Sequence, residues 1–406
     1  MLTYKYTARD AKSGKKINSE VQADSEQSAA KLIREQGLSP IDIEVVDDSS
    51  NSPLSRLRNH VKTKDKVLFS RQLSTLINAG LPLVQSLRNV ASQTTSKPFK
   101  IAITKIIGDV EAGSALSSAM AKHPNIFNEV YVNMIAAGEA SGTLDKSLER
   151  LADQQEKDAE LISKVRGAMV YPIIVLLVMV AVVGFMIVKV VPQVQIIYDG
   201  IPGAHLPFIT RILLGFSNLI IKFWWVFLIL LALSVFFGSR WARTGPGKQV
   251  VDRFKMHAWP VGGLFMKMYM ARFARTGATL IGSGVPLIQM LDITGASINN
   301  VHIEASLQAA TEKVKGGKAL SDSLQGDPNF LELVPNMLHI GEQSGAIEEM
   351  LAKTADYYER EVDNEVRAIS TVIEPVLMIV LGVVAFIIVA AVLLPIYSLA
   401  GQTIIH

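Results

Sequence analysis

MVYPIIVLLVMVAVVGFMIVKVV occupies residues 169–191, and its only charged residue is Lys189, near its end. As a helix this run would extend about 34 Å, which is enough to cross a hydrocarbon core of about 30 Å. Two further apolar runs are residues 212–238, which contain FWWVFLILLALSVFF, and residues 372–396, which contain VIEPVLMIVLGVVAFIIVAAVLL. The sequence therefore predicts a membrane protein with three transmembrane helices.

The composition supports a membrane class and excludes several kinds of chemistry. Of the 406 residues, 49% are apolar, and there is no cysteine. Without cysteine the chain has no disulfide, no thiolate metal ligand and no cysteine nucleophile, as suits domains in a reducing cytosol. The net charge of +3 is small for this length, so no nucleic-acid partner is expected.

Basic residues next to the apolar runs predict the orientation, because short cytoplasmic loops retain lysine and arginine. The loop at 192–211 holds one basic residue, Arg211. The segment at 239–268 is rich in them, and residues 239–255 alone hold Arg240, Arg243, Lys248, Arg253 and Lys255. We therefore expect the first loop and the tail at 397–406 to lie in the periplasm. The rest of the chain outside the spans is expected in the cytoplasm.

The chain contains an internal repeat. At an offset of 204, FSRQLSTLINAGLPLVQSL (residues 69–87) aligns with FARTGATLIGSGVPLIQML (residues 273–291), with 10 of 19 positions identical. Unrelated sequences would share roughly one position. The alignment continues until Tyr171 and Pro172 match Glu374 and Pro375. Two homologous domains, residues 65–168 and 269–371, therefore each lead directly into a span.

Within each copy, apolar residues recur at helical spacing, so we expect two cytoplasmic helical bundles. Gly80 and Gly284 suit the left-handed position that ends a helix. Pro82 and Pro286 suit the first turn of the helix that follows. The fold class is therefore an all-α membrane protein, with a small α+β exception at its N-terminus.

That exception is residues 1–46, where two alternating segments, a helical segment and a third strand-like segment predict a ββαβ module. Residues 47–64 are polar and predict a linker.

A second repeated motif, GEASG in the first copy and GEQSG in the second, predicts a turn between helices. Its positions are Gly138, Glu139, Ser141 and Gly142, matched by Gly341, Glu342, Ser344 and Gly345. Both serines are candidates to cap the next helix. The two glutamates have two interpretations: a pair of carboxylates for acid–base work or for a cation, or residues that serve in capping and packing at a helix turn. Capping and packing is the preferred interpretation.

No catalytic residue, cofactor site or metal site is predicted. The phosphate-binding pattern GxxxxGK[ST] is absent, as are HExxH and GxSxG. The chain is therefore expected not to be an enzyme.

With three spans, a duplicated helical domain, the GxP turns and the GExSG turns, the chain resembles the F-protein platform family of bacterial type II secretion and type IV pilus assembly, often called GspF or PilC. Tyr171–Pro172 and Glu374–Pro375 are similar to the residues that open the family's first and third spans. The resemblance implies an inner-membrane homo-oligomer that couples a cytoplasmic hexameric ATPase to the extraction of pilin or pseudopilin subunits and to fibre assembly. Other inner-membrane assembly proteins would be further partners.

Other interpretations remain open at this point. A membrane-anchored receptor or signalling scaffold would also have cytoplasmic domains and no catalytic motif. A transporter is disfavoured because Lys189 and Glu374 lie near the ends of their apolar runs. Lys222 also lies near an end if the second span is taken as residues 219–237. Glu374 is expected either to cap a helix that starts at Pro375 or to contact another subunit. The surfaces at 138–142 and 341–345 are expected to help orient the two domains.

Overall fold

The fold was analysed in a computed structural model, which describes residues 2–10, 16–23, 26–45, 61–190, 192–193, 196, 208–259 and 261–403. Three predicted segments lie wholly or largely outside these residues: the linker up to residue 60, most of the loop at 192–211, and the last three residues of the tail.

The N-terminal module has the predicted ββαβ order. Its elements are β1 (Leu2–Asp10), β2 (Lys16–Ala23), α1 (Glu26–Glu35) and β3 (Leu38–Val45). The strands form an antiparallel sheet in the order β2-β1-β3. Tyr4, Tyr6 and Ala8 of the central strand are buried, because alternate residues of a strand face the same side.

The first repeat folds into helices, as expected from its periodicity. They are α2 (Thr63–Asn78), α3 (Leu83–Gln93), α4 (Lys97–Glu111), α5 (Leu116–Ala121), α6 (Glu129–Ser141) and α7 (Leu144–Phe185). The core of the bundle is a cluster of three rings, Phe69, Phe99 and Phe127, with centroids 5.2 to 6.2 Å apart.

Among the described residues, three helices have the length and apolar composition needed to cross a membrane. A π-helix, Met186–Val190, follows α7, and the next helices are α8 (Phe208–Trp241) and α9 (Gly245–His257). The π-helix contacts α8, where the Ser217 hydroxyl donates a 2.5 Å hydrogen bond to the carbonyl of Ile187. Such interhelical bonds satisfy backbone groups that lipid cannot. The predicted class, a helical membrane protein with three spans, is confirmed.

The second repeat follows the order of the first. Its helices are α10 (Gly262–Gly282), α11 (Leu287–Ile298), α12 (Val301–Lys315), α13 (Leu320–Leu324), α14 (Leu333–Ser344) and α15 (Ile347–Thr403). Phe273 and Phe330 occupy the positions of Phe69 and Phe127, and their rings meet edge to face at 5.3 Å. The third ring of the first core is replaced by the buried Ile303.

No helix starts at Pro172 or Pro375. Pro172 lies inside α7, and Pro375 lies inside α15. The expectation that Pro375 opens a helix is therefore wrong, and with it the expectation that Glu374 caps one. A proline within a helix removes one backbone hydrogen bond and can bend the helix there. In α7 and α15 the residues on both sides of the proline are helical, so each helix continues through it.

One buried polar pair distinguishes the two cores. In the first, the Ser70 hydroxyl donates to the Lys66 carbonyl (2.9 Å) and lies 3.1 Å from the Tyr131 hydroxyl. Burial raises the pKa of Tyr131, so its hydroxyl stays protonated as a donor. In the second core the equivalent residues are Ala274 and Val334, both buried. Both equivalent positions are apolar in the second core, so neither residue buries a hydroxyl that lacks a hydrogen-bond partner.

We predict that Ser70→Ala lowers the stability of the first bundle by about 1–2 kcal/mol, because it leaves the Tyr131 hydroxyl buried without an acceptor. Adding Tyr131→Phe to Ser70→Ala should recover most of that loss. Thermal unfolding of the two single variants and the double variant in detergent measures the coupling. Strictly additive losses would contradict the coupling.

Candidate functional site

The GExSG motif is mostly helical, not a turn. In both copies the helix continues through the first four residues, ending at Ser141 in α6 and Ser344 in α14. Only the final glycines leave the helix, with left-handed φ values of 69° at Gly142 and 71° at Gly345. Left-handed backbone favours glycine, and it reverses the chain into α7 and α15.

The first glycine of each motif lies where two helices approach closely. A Cβ atom on Gly138 would lie 2.6 Å from the Ser147 hydroxyl oxygen, and one on Gly341 would lie 2.9 Å from the Cα of Ile347. At Gly138 the Cβ of Ser147, 2.7 Å away, is also too close, and unlike the hydroxyl neither this atom nor the Cα of Ile347 can rotate aside. Gly138 and Gly341 therefore allow α6 to pack against α7 and α14 against α15.

The glutamate of the motif binds the start of the short helix that precedes it. Glu139 accepts hydrogen bonds from the backbone N–H groups of Leu116 (2.5 Å) and Ser117 (3.1 Å), and from the Ser117 hydroxyl. These N–H groups belong to the first turn of α5 and have no partner within the helix. A carboxylate is also favoured there by the positive end of the helix dipole.

The second copy repeats this arrangement at every atom. Glu342 accepts from the N–H groups of Leu320 (2.6 Å) and Ser321 (3.3 Å), and from the Ser321 hydroxyl. Each carboxylate is therefore engaged within its own copy. This arrangement fits capping and packing better than a shared cation or acid–base site, and the described residues contain no cluster of three or more metal-ligand side chains.

Ser141 and Ser344 differ from their expected role. Their hydroxyls donate backwards to the carbonyls of Ala137 and Ile340, at 2.7 Å in each case. Neither of these bonds caps the following helix. A serine in the last turn of a helix satisfies its hydroxyl in this way without an N-terminal partner.

The GxP segments lie between two helices, with the glycines in the expected left-handed conformation and the prolines one residue earlier than the predicted first turn. Gly80 and Gly284 follow α2 and α10 with positive φ values. Pro82 and Pro286 occupy the capping position, one residue before α3 and α11 begin.

A repeated ion pair was not predicted from the motifs. Arg71 contacts Asp153 (2.5 Å) and Glu156 (2.6 Å), and Arg275 pairs with Asp356, the counterpart of Asp153. The signal was present in the repeat, because both arginines and both aspartates align. Each pair joins the first helix of its bundle to the long helix that continues into a span.

Arg71 forms a bidentate hydrogen bond with Glu156: the two carboxylate oxygens of Glu156 accept from Nε and Nη2 of Arg71. This hydrogen bonding holds the pKa of Glu156 below its usual value of 4.5. The pair therefore stabilises the fold above pH 4.5, and the contribution is lost as the pH falls through the lowered pKa. Because Glu156 is partly exposed, the contribution is at most about 1 kcal/mol.

The two bundles contact each other through a buried amide. Gln154 of α7 donates to the Thr276 hydroxyl (3.0 Å), and the Thr279 hydroxyl lies 3.1 Å from its carbonyl oxygen. All three side chains are buried. The position equivalent to Gln154 in the second copy is Tyr357, which is exposed, so the contact is made once and not twice.

Further polar contacts surround this amide. Arg150 pairs with Glu348 at 2.9 Å, directly over Gly282, where a Cβ atom would meet the guanidinium. Asn133 of α6 accepts from Gln289 of α11 at 3.1 Å. These contacts join the two bundles through α6, α7, α10, α11 and α15.

A cleft of about 620 Å³ lies between the bundles beside these contacts. Its charged lining has three basic residues (Arg150, Lys157, Arg275) and five acidic ones (Asp153, Glu156, Glu160, Glu348, Asp356). The acidic excess disfavours the phosphates of a nucleotide. The lining is therefore that of an ion-paired joint between the two bundles.

The predicted residues at the starts of the spans lie on helix surfaces. Tyr171 and Glu374 are both exposed, each one residue before a proline inside its helix. The structure therefore leaves the carboxylate of Glu374 facing outwards at the beginning of the third apolar run.

Family models match most of the chain. The model described as "Type II secretion system (T2SS), protein F" matches twice, at residues 69–192 and 273–395. The model of the N-terminal domain of the same protein matches residues 1–44. The two larger matches coincide with the two helical repeats and the spans that follow them.

Full-length relatives agree with these matches. The chain is 39% identical over 406 residues to the type IV pilus assembly protein PilC of Thermus thermophilus, covering 99% of each chain. It is 35% identical to the protein of the same name from Myxococcus xanthus, covering 96% of this chain and 93% of the relative. It is 33% identical to the type II secretion system protein F of Pseudomonas aeruginosa, covering 98% of this chain and 99% of the relative.

Proposed function

Because the chain belongs to the type II secretion system protein F family, we propose that it is the inner-membrane platform protein of a type IV pilus or type II secretion machine. In this role it couples a cytoplasmic hexameric ATPase to the extraction of pilin or pseudopilin subunits from the bilayer. It acts as a homo-oligomer, together with other inner-membrane assembly proteins.

The observation that carries this proposal is the continuity of two helices. α7 runs from the first bundle to Phe185, and α15 runs from the second bundle to Thr403. At 1.5 Å per residue these helices are about 60 and 85 Å long. A loop would absorb a displacement, whereas an unbroken helix transmits it to the membrane. The Lys164 ammonium also contacts the Asp363 carboxylate at 2.8 Å, which links the two helices near the start of their apolar runs.

The energy for fibre assembly must come from a partner protein that hydrolyses ATP. The sequence has no phosphate-binding loop, and the cleft between the bundles has an acidic excess. A protein of this kind couples to ATP hydrolysis only through contacts with the ATPase. We propose the exposed ends of the GExSG motifs, Gly142 and Gly345, as one such contact, and Glu374 as a contact between subunits in the bilayer.

The platform role requires both bundles in the cytoplasm. We expect a membrane-impermeant maleimide to label Ile201→Cys in intact spheroplasts and not Ala319→Cys, while both react after lysis. The natural chain has no cysteine, so each variant carries a single reactive site. Labelling of Ala319→Cys in intact spheroplasts would contradict the topology.

The function is tested by co-purification of the detergent-solubilised chain with its hexameric ATPase. We expect the natural chain to retain the ATPase, and Gly142→Arg and Gly345→Arg to retain less of it. Gly113→Arg is the matched control, because Gly113 is also exposed, has a positive φ of 91° and has open space around it. No retention by the natural chain would favour the membrane-anchored receptor or scaffold. ATP hydrolysis by the purified chain alone would contradict the proposal.

A further inference from the structure

Helix α9 has one face that the described part of the chain does not cover. It begins at Gly245, shortly after the second span ends at Trp241. Along it, Val250, Arg253, Phe254 and His257 are exposed and fall on one helical stripe, with spacings of three and four residues. Asp252 and Met256, on the other side, are buried.

The exposed apolar side chains are large. Val250 is 55% exposed and Phe254 70%, and Trp259, two residues after α9, is 83% exposed. Water contact with such side chains is unfavourable, by roughly 25 cal/mol for each Å² of apolar surface. Tryptophan and phenylalanine at this kind of position are typical of helices that lie in a membrane interface.

The start of α9 is held tightly against the end of the second span. The Thr244 hydroxyl donates to the Trp241 carbonyl at 2.7 Å and accepts from the Gly247 N–H at 3.4 Å. A Cβ atom on Gly247 would lie 1.9 Å from that carbonyl oxygen, so only glycine fits. The uncovered face is therefore held at the point where α8 leaves the bilayer.

The charge of the segment is strongly positive. Residues 239–259 contain five basic residues (Arg240, Arg243, Lys248, Arg253 and Lys255) and one acidic residue, Asp252. The carboxylate of Asp252 is buried and lies 3.4 Å from the Lys255 ammonium. The exposed surface of the segment is thus basic and apolar together. Anionic phospholipid offers both complementary features, phosphate groups above and acyl chains below.

We propose that α9 lies in the interface of the leaflet at which the second span ends and binds anionic phospholipid headgroups. Val250, Phe254 and Trp259 insert among the upper acyl chains, while Arg243 and Arg253 contact phosphates. This requires only that α8 spans the membrane, and it holds whether or not the platform role is correct. Since α10 begins at Gly262, the bound segment fixes the start of the second bundle to the membrane surface.

The test places one fluorescent probe on the uncovered face. Phe254→Cys, labelled with the environment-sensitive dye NBD, is prepared in the full-length chain, which has no other cysteine. The protein is reconstituted as one chain per nanodisc, in phosphatidylcholine with or without phosphatidylglycerol. With phosphatidylglycerol we expect quenching by lipids that carry a doxyl group near the headgroup, and protection from aqueous iodide.

The matched control reduces charge without changing the apolar face. This control is the double variant Arg243→Gln with Arg253→Gln in the same labelled background. It should reduce the dependence of lipid quenching on phosphatidylglycerol by about tenfold or more. Each basic group near the surface raises the affinity for anionic lipid several-fold, so losing two should have this effect. High salt should act in the same direction. An iodide-accessible probe that lipid does not quench would overturn the proposal. A probe shielded from both quenchers would also overturn it, because protein and not lipid would then cover α9.

Discussion

Gly341→Leu should destabilise the second bundle by about 3 kcal/mol, and Gly138→Leu should do the same to the first. Even a Cβ atom on Gly341 would lie 2.9 Å from the Cα of Ile347, so the larger side chain forces α14 away from α15. The displaced atoms are backbone, which cannot rotate aside. Hydrogen exchange of peptides from α14 and the first turns of α15 measures the loss, as faster exchange by about a hundredfold.

Gly108→Leu is the matched control for these variants. Gly108 also lies inside a helix and is exposed, and a Cβ atom on it would meet no neighbouring atom within 4 Å. Its counterpart in the second copy is Glu312. Replacing a helical glycine in open space should stabilise the helix by about 0.5–1 kcal/mol. Equal effects of the variants at positions 108 and 341 would show that helix propensity, and not close approach, determines the outcome.

Glu342→Ala should expose the start of α13, with a loss of about 2–3 kcal/mol, because it removes the acceptor of two backbone N–H groups and one hydroxyl. Exchange should accelerate at Leu320 and Ser321 and remain unchanged in α5. Glu139→Ala should produce the reverse pattern. Glu342→Gln should destabilise α13 less than Glu342→Ala, because it keeps one acceptor oxygen. It should still destabilise α13, because its amide nitrogen is a donor facing other donors.

The duplication supplies a control within each variant, and Glu312→Ala supplies a second one. Glu312 is exposed, and its carboxylate pairs with Lys315 of its own helix at 2.8 Å. Its removal should leave the exchange of α13 unchanged. If Glu139→Ala accelerated exchange in both copies equally, the carboxylates would have to act jointly and not as separate caps.

The sequence was sufficient for the spans and the repeat, because both signals are strong. A run of apolar residues such as 169–191 has few alternatives to a membrane helix, and ten identities in nineteen aligned positions require a duplication. The ββαβ module was also predictable, from alternation along its strands. In each case many residues contribute to a single signal.

Local signals were less reliable where packing decides the outcome. Pro375 is typical of a helix start, yet α15 continues through it, because the helical residues on both sides outweigh one lost hydrogen bond. The glycines at 138 and 341 are typical of a turn, yet they lie inside helices where a neighbouring helix leaves no room for a side chain. Only the structure shows which neighbour is present.

The missed contacts divide into two kinds. Arg71 and Arg275 were accessible from the aligned repeats, because an arginine and its aspartate recur together. Gln154 was not accessible, because its counterpart Tyr357 is a different residue that makes no equivalent contact. Aligning the two repeats reveals only contacts whose residues occur in both copies, so a contact made in one copy cannot be predicted from that alignment.

The cap on α5 also has a consequence for synthesis. Leu116 and Ser117 leave the ribosome well before their partner Glu139, which lies 23 and 22 residues further along, respectively. At about 5–20 residues per second, the first turn of α5 waits roughly one to five seconds for its acceptor. A nascent chain that ends between these points carries a six-residue helix with an open end, too short to persist alone. Each bundle is therefore completed late and cooperatively, when its own glutamate emerges.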